Sequence, residues 1–191
     1  MTTSILRTAD GWWVQTAYGA AGIATSAPTT AELLTHRTAI DAAARGAHTV
    51  PVDGLRLISP VTAPCRVVAQ MTNFASHVKG AGMDPKTIPL TFFRKTSGSI
   101  NGPFDEIIKP PHVKLLDYEA EIGLVIGRDI PVGTEITESN LADFIAGLVV
   151  TNDVSARDVQ LTKTQFYEAK SYPTFTPVGP ALVLLEADEL N

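Results

Sequence analysis

From residue 55 onward, the apolar segments of this chain are short, rich in β-branched residues and separated by Gly and Pro. Such runs predict strands, because four to eight apolar residues between turn signals are too few for an ordinary helix. Within this region, helices are predicted only around Phe74–Lys79 and Glu138–Phe144. We therefore predict an α+β fold that is mainly β. The predicted strands are Leu55–Ile58, Arg66–Gln70, Leu90–Phe93, Glu106–Ile108, Glu119–Ile126, Ile145–Thr151 and Ala181–Leu185.

Residues 1–54 are predicted to form a small β/α appendage. Short strands between residues 5 and 25 are interrupted by the turn signal Asp10-Gly11. A helix is predicted over Ala31–Arg45, with Thr29 or Thr30 as its cap, followed by a linker over 47–54. The second predicted domain covers residues 55–191.

Charge and hydropathy exclude several classes of function. The chain of 191 residues has a net charge of −5 and only 15 basic residues, which argues against a nucleic-acid partner. No apolar run approaches the roughly 18 residues needed to cross a bilayer, and the N-terminus does not resemble a secretory signal. We expect a cytoplasmic protein with no membrane partner, in which the single cysteine, Cys65, packs as a core thiol.

Two carboxylates stand two residues apart in the predicted strand 119–126. The period of a strand puts Glu119 and Glu121 on one face, about 6.5–7 Å apart. Like charges this close disfavour each other unless a cation lies between them. Asp153 follows the next buried strand and could supply a third oxygen ligand. A hard divalent metal is one interpretation; the other is that the glutamates form a solvated strand face and Asp153 lies in a turn.

Four motifs follow one another within residues 55–191: Tyr118-Glu119-Ala120-Glu121, Asn152–Gln160, Lys170-Ser171-Tyr172 and Phe175–Pro180. With these motifs the chain resembles the fumarylacetoacetate hydrolase family, which implies a mixed β-roll that usually forms homodimers. The resemblance also implies that Glu119, Glu121 and Asp153 bind Mg²⁺, with Mn²⁺ or Ca²⁺ as alternatives, and it gives Asp117 no ligand position.

Members of this family act on 2-oxo or 1,3-dioxo acids. The resemblance therefore implies a hydrolase that cleaves a C–C bond of a fumarylacetoacetate- or acylpyruvate-type substrate through a metal-stabilised enolate, in aromatic or small-acid catabolism. An isomerase or decarboxylase of similar acids would use the same charge stabilisation. A further alternative is a non-catalytic member that only binds metal and a dicarboxylate.

Five further side chains receive roles from the resemblance. Lys170 and His77 correspond to catalytic positions, while Arg157, Gln160 and Lys95 correspond to positions that line the substrate pocket. Without the resemblance, a lysine such as Lys170 would more often be a surface residue. Arg157 could instead form a structural ion pair with Asp158 or with the ligand carboxylates.

The chain departs from the family pattern in two places. His77 lies in Asn73-Phe74-Ala75-Ser76-His77, which is similar to the family's N-[YF]-x-x-H motif, but Gly80 stands where many relatives have a glutamate that orients the histidine. Another acid, such as Asp84, could take over. Relatives also continue beyond residue 191 to a Thr-Gly-Thr-Pro-type turn, so we expect either a fragment or a shortened protein that completes its sheet with a partner. The remaining histidines, at positions 36, 48 and 112, are expected at the surface or in packing roles.

Overall fold

The computed structural model describes residues 2–71, 75–80, 82, 84, 86–87, 89–163 and 165–185. Most of its regular structure is strand, and the helices are short. The predicted α+β, mainly β class is therefore confirmed. The strands are β1 (Thr3–Thr8), β2 (Gly11–Thr16), β3 (Gly19–Gly22), β4 (Val67–Met71), β5 (Thr91–Lys95), β6 (Ile100–Asn101), β7 (Leu116–Asp117), β8 (Ala120–Ile126), β9 (Ile145–Asn152), β10 (Ser155–Ala156), β11 (Thr176–Pro177) and β12 (Leu182–Leu184). The helices are α1 (Thr30–Thr35), α2 (Arg37–Ala44), α3 (Ala75–Gly80), α4 (Arg157–Gln160) and α5 (Tyr167–Lys170).

Six strands form one sheet in the order β3-β2-β1-β12-β9-β8. The N-terminal strands belong to this sheet, because β1 pairs with β2 on one side and with β12 on the other, with Ile5 opposite Leu182. The strands of residues 1–54 are thus continuous with strands from the far end of the chain. The division into domains at residue 54 stays a prediction.

The largest apolar core lies between this sheet and helices α1 and α2. Thr29 caps α1 by accepting a hydrogen bond from the backbone N–H of Glu32, as the sequence predicted. The single helix predicted over Ala31–Arg45 is wrong: the chain bends at His36, whose backbone leaves the helical region between α1 and α2. The buried core residues include Ile5, Trp12, Val14, Leu33, Ile40, Val149, Leu182 and Leu184.

Three smaller sheets bring distant segments together around the end of β8 and β9. Strand β4 pairs with β5, β7 pairs with β10, and β6 pairs in parallel with β11. The predicted strand Glu106–Ile108 is wrong, because the N–H of Ile108 donates to the hydroxyl of Thr174 and not to a neighbouring strand. Leu55–Ile58 forms only one isolated bridge, between Ile58 and Arg7. The helix predicted over Glu138–Phe144 is a single 3₁₀ turn, Leu141–Asp143.

Strand β8 lies at the edge of the six-stranded sheet, and its side chains alternate between two environments. Ile122, Leu124 and Ile126 point to an exposed face, whereas Glu121 and Val125 are half-buried on the other. In the described part of the chain, no helix has the length and apolar character that a membrane span requires.

Candidate active site

The pairing of β8 with β9 brings the predicted metal ligands to one end of the sheet. Ala120 lies opposite Asn152, so Glu119 and Asp153 both stand just beyond the paired residues. The backbone N–H of Asp153 donates to the carbonyl of Glu119 at 2.9 Å, and the side-chain oxygen of Asn152 accepts from the N–H of Glu119 at 3.1 Å. Asn152 therefore closes the corner that holds the two acids side by side.

Three carboxylates converge at this corner. One oxygen each from Glu119, Glu121 and Asp153 lies within 4.8 Å of the other two. Asp153 is buried, with 3% of its surface exposed, and the two glutamates are half-buried. The donor set consists only of hard carboxylate oxygens, which are the ligands that Mg²⁺, Mn²⁺ and Ca²⁺ prefer. The cluster could therefore hold a divalent metal ion.

Two buried lysines contact the same carboxylates. Lys170, at the end of α5, lies 2.6 Å from Oε2 of Glu119 and 2.5 Å from Oδ2 of Asp153. Lys95, at the end of β5, donates to Oδ1 of Asp153 at 2.5 Å and to the carbonyl of Phe175 at 2.8 Å. Lys170 is 3% exposed, so its interpretation as a surface lysine is wrong. Both oxygens of Asp153 are thus bound by ammonium groups.

The guanidinium group of Arg157 lies on the outer side of Glu119. Its Nε donates to Oδ2 of Asp117 at 2.8 Å, its Nη1 donates to Oε1 of Gln160 at 2.8 Å, and its Nη2 donates to Oε1 of Glu119. Each of its three nitrogens therefore has a protein acceptor. Gln160 lies three residues after Arg157 on α4, a spacing that places the two side chains together.

Asp158 has a different role from the one considered for it. It accepts the backbone N–H groups of Lys114 at 2.9 Å and Leu115 at 3.2 Å. These bonds fix the entry to β7 and make the pKa of Asp158 lower than usual. Of the two structural partners considered for Arg157, only a ligand carboxylate, Glu119, is found among the described contacts.

The carboxylates of the cluster differ in their electrostatic environment. Burial, followed by the charges of Asp153 and Glu119, raises the pKa of Glu121. Burial also disfavours the charged form of Glu119, but hydrogen bonds and charges from Lys170 and Arg157 outweigh it and lower that pKa. Glu119 is therefore already neutralised by protein cations, whereas Glu121 is the carboxylate that would gain most from an added cation.

The contact between Asp117 and Arg157 was missed by the sequence reasoning. It lies outside the carboxylate triad, as the resemblance implied, but it contacts Arg157, which contacts Glu119. Residues 117, 119 and 121 share the period of two that places strand side chains on one side. That spacing was the sequence signal that Asp117 lies near the site. The structure explains it, because Arg157 contacts both Asp117 and Glu119.

The predicted histidine cannot be placed from its side chain. His77 lies in α3, within the helix predicted at this position, but its side chain is outside the described residues. At Gly80, an added Cβ would meet no atom of the described residues within 4 Å, so crowding by these residues does not require glycine there. Asp84 is exposed and accepts a local bond from the N–H of Lys86. His112 bonds to the hydroxyl of Tyr172, in agreement with a packing role.

Comparison with known proteins shows which family the chain resembles in sequence. Residues 66–190 match the family model for the fumarylacetoacetate (FAA) hydrolase C-terminal domain. The chain is 38% identical over 135 residues to the mitochondrial oxaloacetate tautomerase Fahd2a of Rattus norvegicus, an alignment that covers 70% of this chain and 42% of the relative. The matched segment therefore covers less than half the length of this rat protein and of its human counterpart.

Solved structures share the fold. A Mycobacterium abscessus protein, described as a probable 2-hydroxyhepta-2,4-diene-1,7-dioate isomerase, matches with a TM-score of 0.78 and 32% identity, over 98% of this chain and 66% of that one. The fumarylacetoacetate hydrolase of Exiguobacterium antarcticum matches with a TM-score of 0.73 and 26% identity, over 98% and 68% of the two chains. The fold expected from the motifs is thereby confirmed.

Proposed function

The chain belongs to the fumarylacetoacetate hydrolase family, and from this premise we propose that it catalyses keto–enol isomerisation of a small 2-oxo acid with a divalent cation as cofactor, Mg²⁺ being the first candidate. The observation that carries the proposal is the convergence of Glu119, Glu121 and Asp153 beside the amine of Lys170. Such a cluster combines oxygen ligands for a cation with a protein group that can stabilise negative charge.

The balance of charge supports an anionic substrate. The site contains four carboxylates, including Asp117, against three cationic side chains. A divalent cation would turn this excess of negative charge into an excess of positive charge. The carboxylate of an oxo acid would then neutralise this positive charge. Substrate binding is therefore expected to depend on prior binding of the metal.

The side chains of the site have separable tasks in this proposal. A bound cation would supply positive charge beside the oxygen on which enolate charge develops. Lys170, held against Glu119 and Asp153, adds a second positive charge at the same place. Lys95 holds Asp153 from the opposite side. The side-chain oxygen of Gln160 accepts from Arg157, which directs its amide N–H groups to be offered to a substrate oxygen.

Isomerisation is favoured over C–C hydrolysis for a chemical reason. Enolisation needs charge stabilisation and a proton carrier, whereas hydrolysis also needs an activated water. The described side chains around the triad are carboxylates, amines, a guanidinium and an amide. His77 is the candidate for activating water by resemblance alone, and the usual glutamate is replaced by Gly80. The tautomerase and isomerase names of relatives support the same choice.

Hydrolysis remains the second candidate because the Exiguobacterium antarcticum structure with the same fold is a fumarylacetoacetate hydrolase. Decarboxylation would proceed through the same developing enolate. The three reactions are distinguished by their products, not by the geometry of the triad.

The test is calorimetric titration of oxalate with and without Mg²⁺, followed by assays on the same sample. Oxaloacetate enol is followed by its ultraviolet absorbance, and C–C cleavage is followed with an acylpyruvate. We expect oxalate to bind only with Mg²⁺, and enol conversion to exceed acylpyruvate cleavage. Cleavage without isomerisation would replace the proposal by hydrolysis, and binding without any turnover would support the non-catalytic alternative.

Two variants connect the result to the site. Glu121→Gln should abolish Mg²⁺-dependent oxalate binding, because it removes a ligand charge while keeping the side-chain shape. The matched control is Asp143→Asn, which removes an acid from the exposed ion pair with Arg128. Equal oxalate binding by Glu121→Gln and the wild type would overturn the assignment of the triad.

A further inference from the structure

Asp117 lies outside the carboxylate triad, but its contact with Arg157 indicates a role in the site. We propose that Asp117 is a positioning residue, which draws the guanidinium group of Arg157 outward and so leaves Glu119 able to bind a cation. The inference rests on the proposed metal site. It concerns the affinity of that site and not the chemical step.

Arg157 is shared between two carboxylates. Its Nε donates to Oδ2 of Asp117 at 2.8 Å, and its Nη2 donates to Glu119. A third nitrogen, Nη1, donates to Gln160 at 2.8 Å, so the planar group is oriented on every side. Because a guanidinium group donates in fixed directions, a change at Asp117 alters the hold on Glu119.

Glu119 has no oxygen that is free of a protein cation. Oε1 accepts from Arg157, and Oε2 lies 2.6 Å from the amine of Lys170. A metal ion at Glu119 must therefore compete with both positive groups. The negative charge of Asp117 satisfies part of the charge of Arg157, which weakens that competition.

The side chain of Asp117 is not needed to hold its own strand. The backbone of Asp117 is paired with Ser155 in the β7–β10 sheet, and Oδ1 accepts the N–H of Tyr118 at 2.9 Å. The carboxylate is 43% exposed, and the guanidinium side chain is 19% exposed. Because the carboxylate of this ion pair is open to solvent, the pair contributes little to stability. Its position therefore matters more for the charge at Glu119 than for folding.

A double-mutant cycle tests this role. The variants are Asp117→Asn, Arg157→Met and the combination, and the readout is Mg²⁺ affinity by titration calorimetry, with melting temperature as a measure of folding. We expect Asp117→Asn to weaken Mg²⁺ binding about tenfold, as outer partners of metal ligands typically do. In the Arg157→Met background the same change should have little further effect, since the residue through which Asp117 acts is gone.

Several outcomes separate this inference from its alternatives. An equal loss of affinity in both backgrounds would overturn it, because Asp117 would then act directly by its charge. Unchanged affinity in Asp117→Asn with a lowered melting temperature would also overturn it, in favour of a structural role. If Arg157→Met does not fold, Arg157→Gln provides the second background, and Asp117→Glu should recover most of the affinity.

The matched control is again Asp143→Asn, which breaks an arginine–carboxylate pair away from the triad and should leave Mg²⁺ affinity unchanged. A wild-type protein that binds no Mg²⁺ would overturn the proposed function and this inference together. A wild type that binds Mg²⁺ without coupling between positions 117 and 157 would overturn only the inference.

Discussion

Leu33 and Asp153 are buried to nearly the same extent, at 0% and 3% exposure, but different forces hold their surroundings together. Leu33 belongs to an apolar core in which every contact adds to stability by removing carbon from water. Asp153 lies between two lysines, and the desolvation of these charges offsets much of their attraction. The apolar core around Leu33 stabilises the fold. The charges around Asp153 stay buried because they pair with one another, and this charged cluster is the region suited to catalysis.

The strongest way to break this comparison is to remove the shared partner of the buried lysines. Asp153→Asn leaves Lys95 and Lys170 buried with much less compensating charge. We expect a loss of about 3–5 kcal/mol in the free energy of unfolding, measured by urea denaturation in EDTA. A loss below about 1 kcal/mol would mean that the charges are solvated and that the two regions do not differ as described.

A cavity in the apolar core should have an effect of similar but smaller size. Leu33→Ala removes three buried carbon atoms from the packing between α1 and the sheet, and we expect a loss of about 3 kcal/mol in the same measurement. Leu161→Ala is the matched control, because Leu161 is 80% exposed and its truncation should change stability by less than about 0.5 kcal/mol. Similar losses in the two variants would contradict the assignment of the core.

A third variant should increase the free energy of unfolding, whereas the first two decrease it. Glu121→Gln removes a charge that is half-buried near Asp153 and Glu119, and so relieves like-charge repulsion. Without metal, we expect a gain of about 0.5–1 kcal/mol in the free energy of unfolding, a range common for relief of unfavourable charges. Glu138→Gln, at an exposed position, is the control and should show no gain. Destabilisation by Glu121→Gln in EDTA would show that its charge is already compensated.

The smallest effect is expected at the surface. Asp143 and Arg128 form an ion pair at 3.4 Å, with both side chains more than half exposed. Asp143→Asn should change the free energy of unfolding by less than about 0.5 kcal/mol. Thermal unfolding at low and high salt provides the measurement. A large change here would remove the contrast between buried and exposed charge on which the other predictions depend.

Local sequence pattern was sufficient for some parts of the fold. The alternation in 119–126 and the apolar run in 145–151 predicted β8 and β9, which the structure confirms. The break at His36 was not predictable in this way, since the helical pattern of the sequence continues through it. The pairing of β1 with β12 joins residues from opposite ends of the chain, and no local signal records it.

The sequence predicted which residues form the candidate site better than it predicted the contacts between them. Glu119, Glu121 and Asp153 come together with Lys170, as the motifs implied. Arg157 was expected beside the substrate, but the structure shows its three nitrogens donating to protein acceptors. Such partners depend on side-chain direction across two sheets, which motif spacing does not contain. The role of His77 and the homodimer stay predictions.

The pairing of β1 with β12 has a consequence for biosynthesis. Thr3–Ile5 leave the ribosome well before their partners, Leu182–Leu184, are synthesised. At 5–20 residues per second, the β1–β3 strands wait on the order of 10 s for the strand that joins them to β9. During this interval the backbone N–H and C=O groups on one edge of β1 are unpaired, so a nascent chain of this protein is expected to need protection from association until β12 emerges.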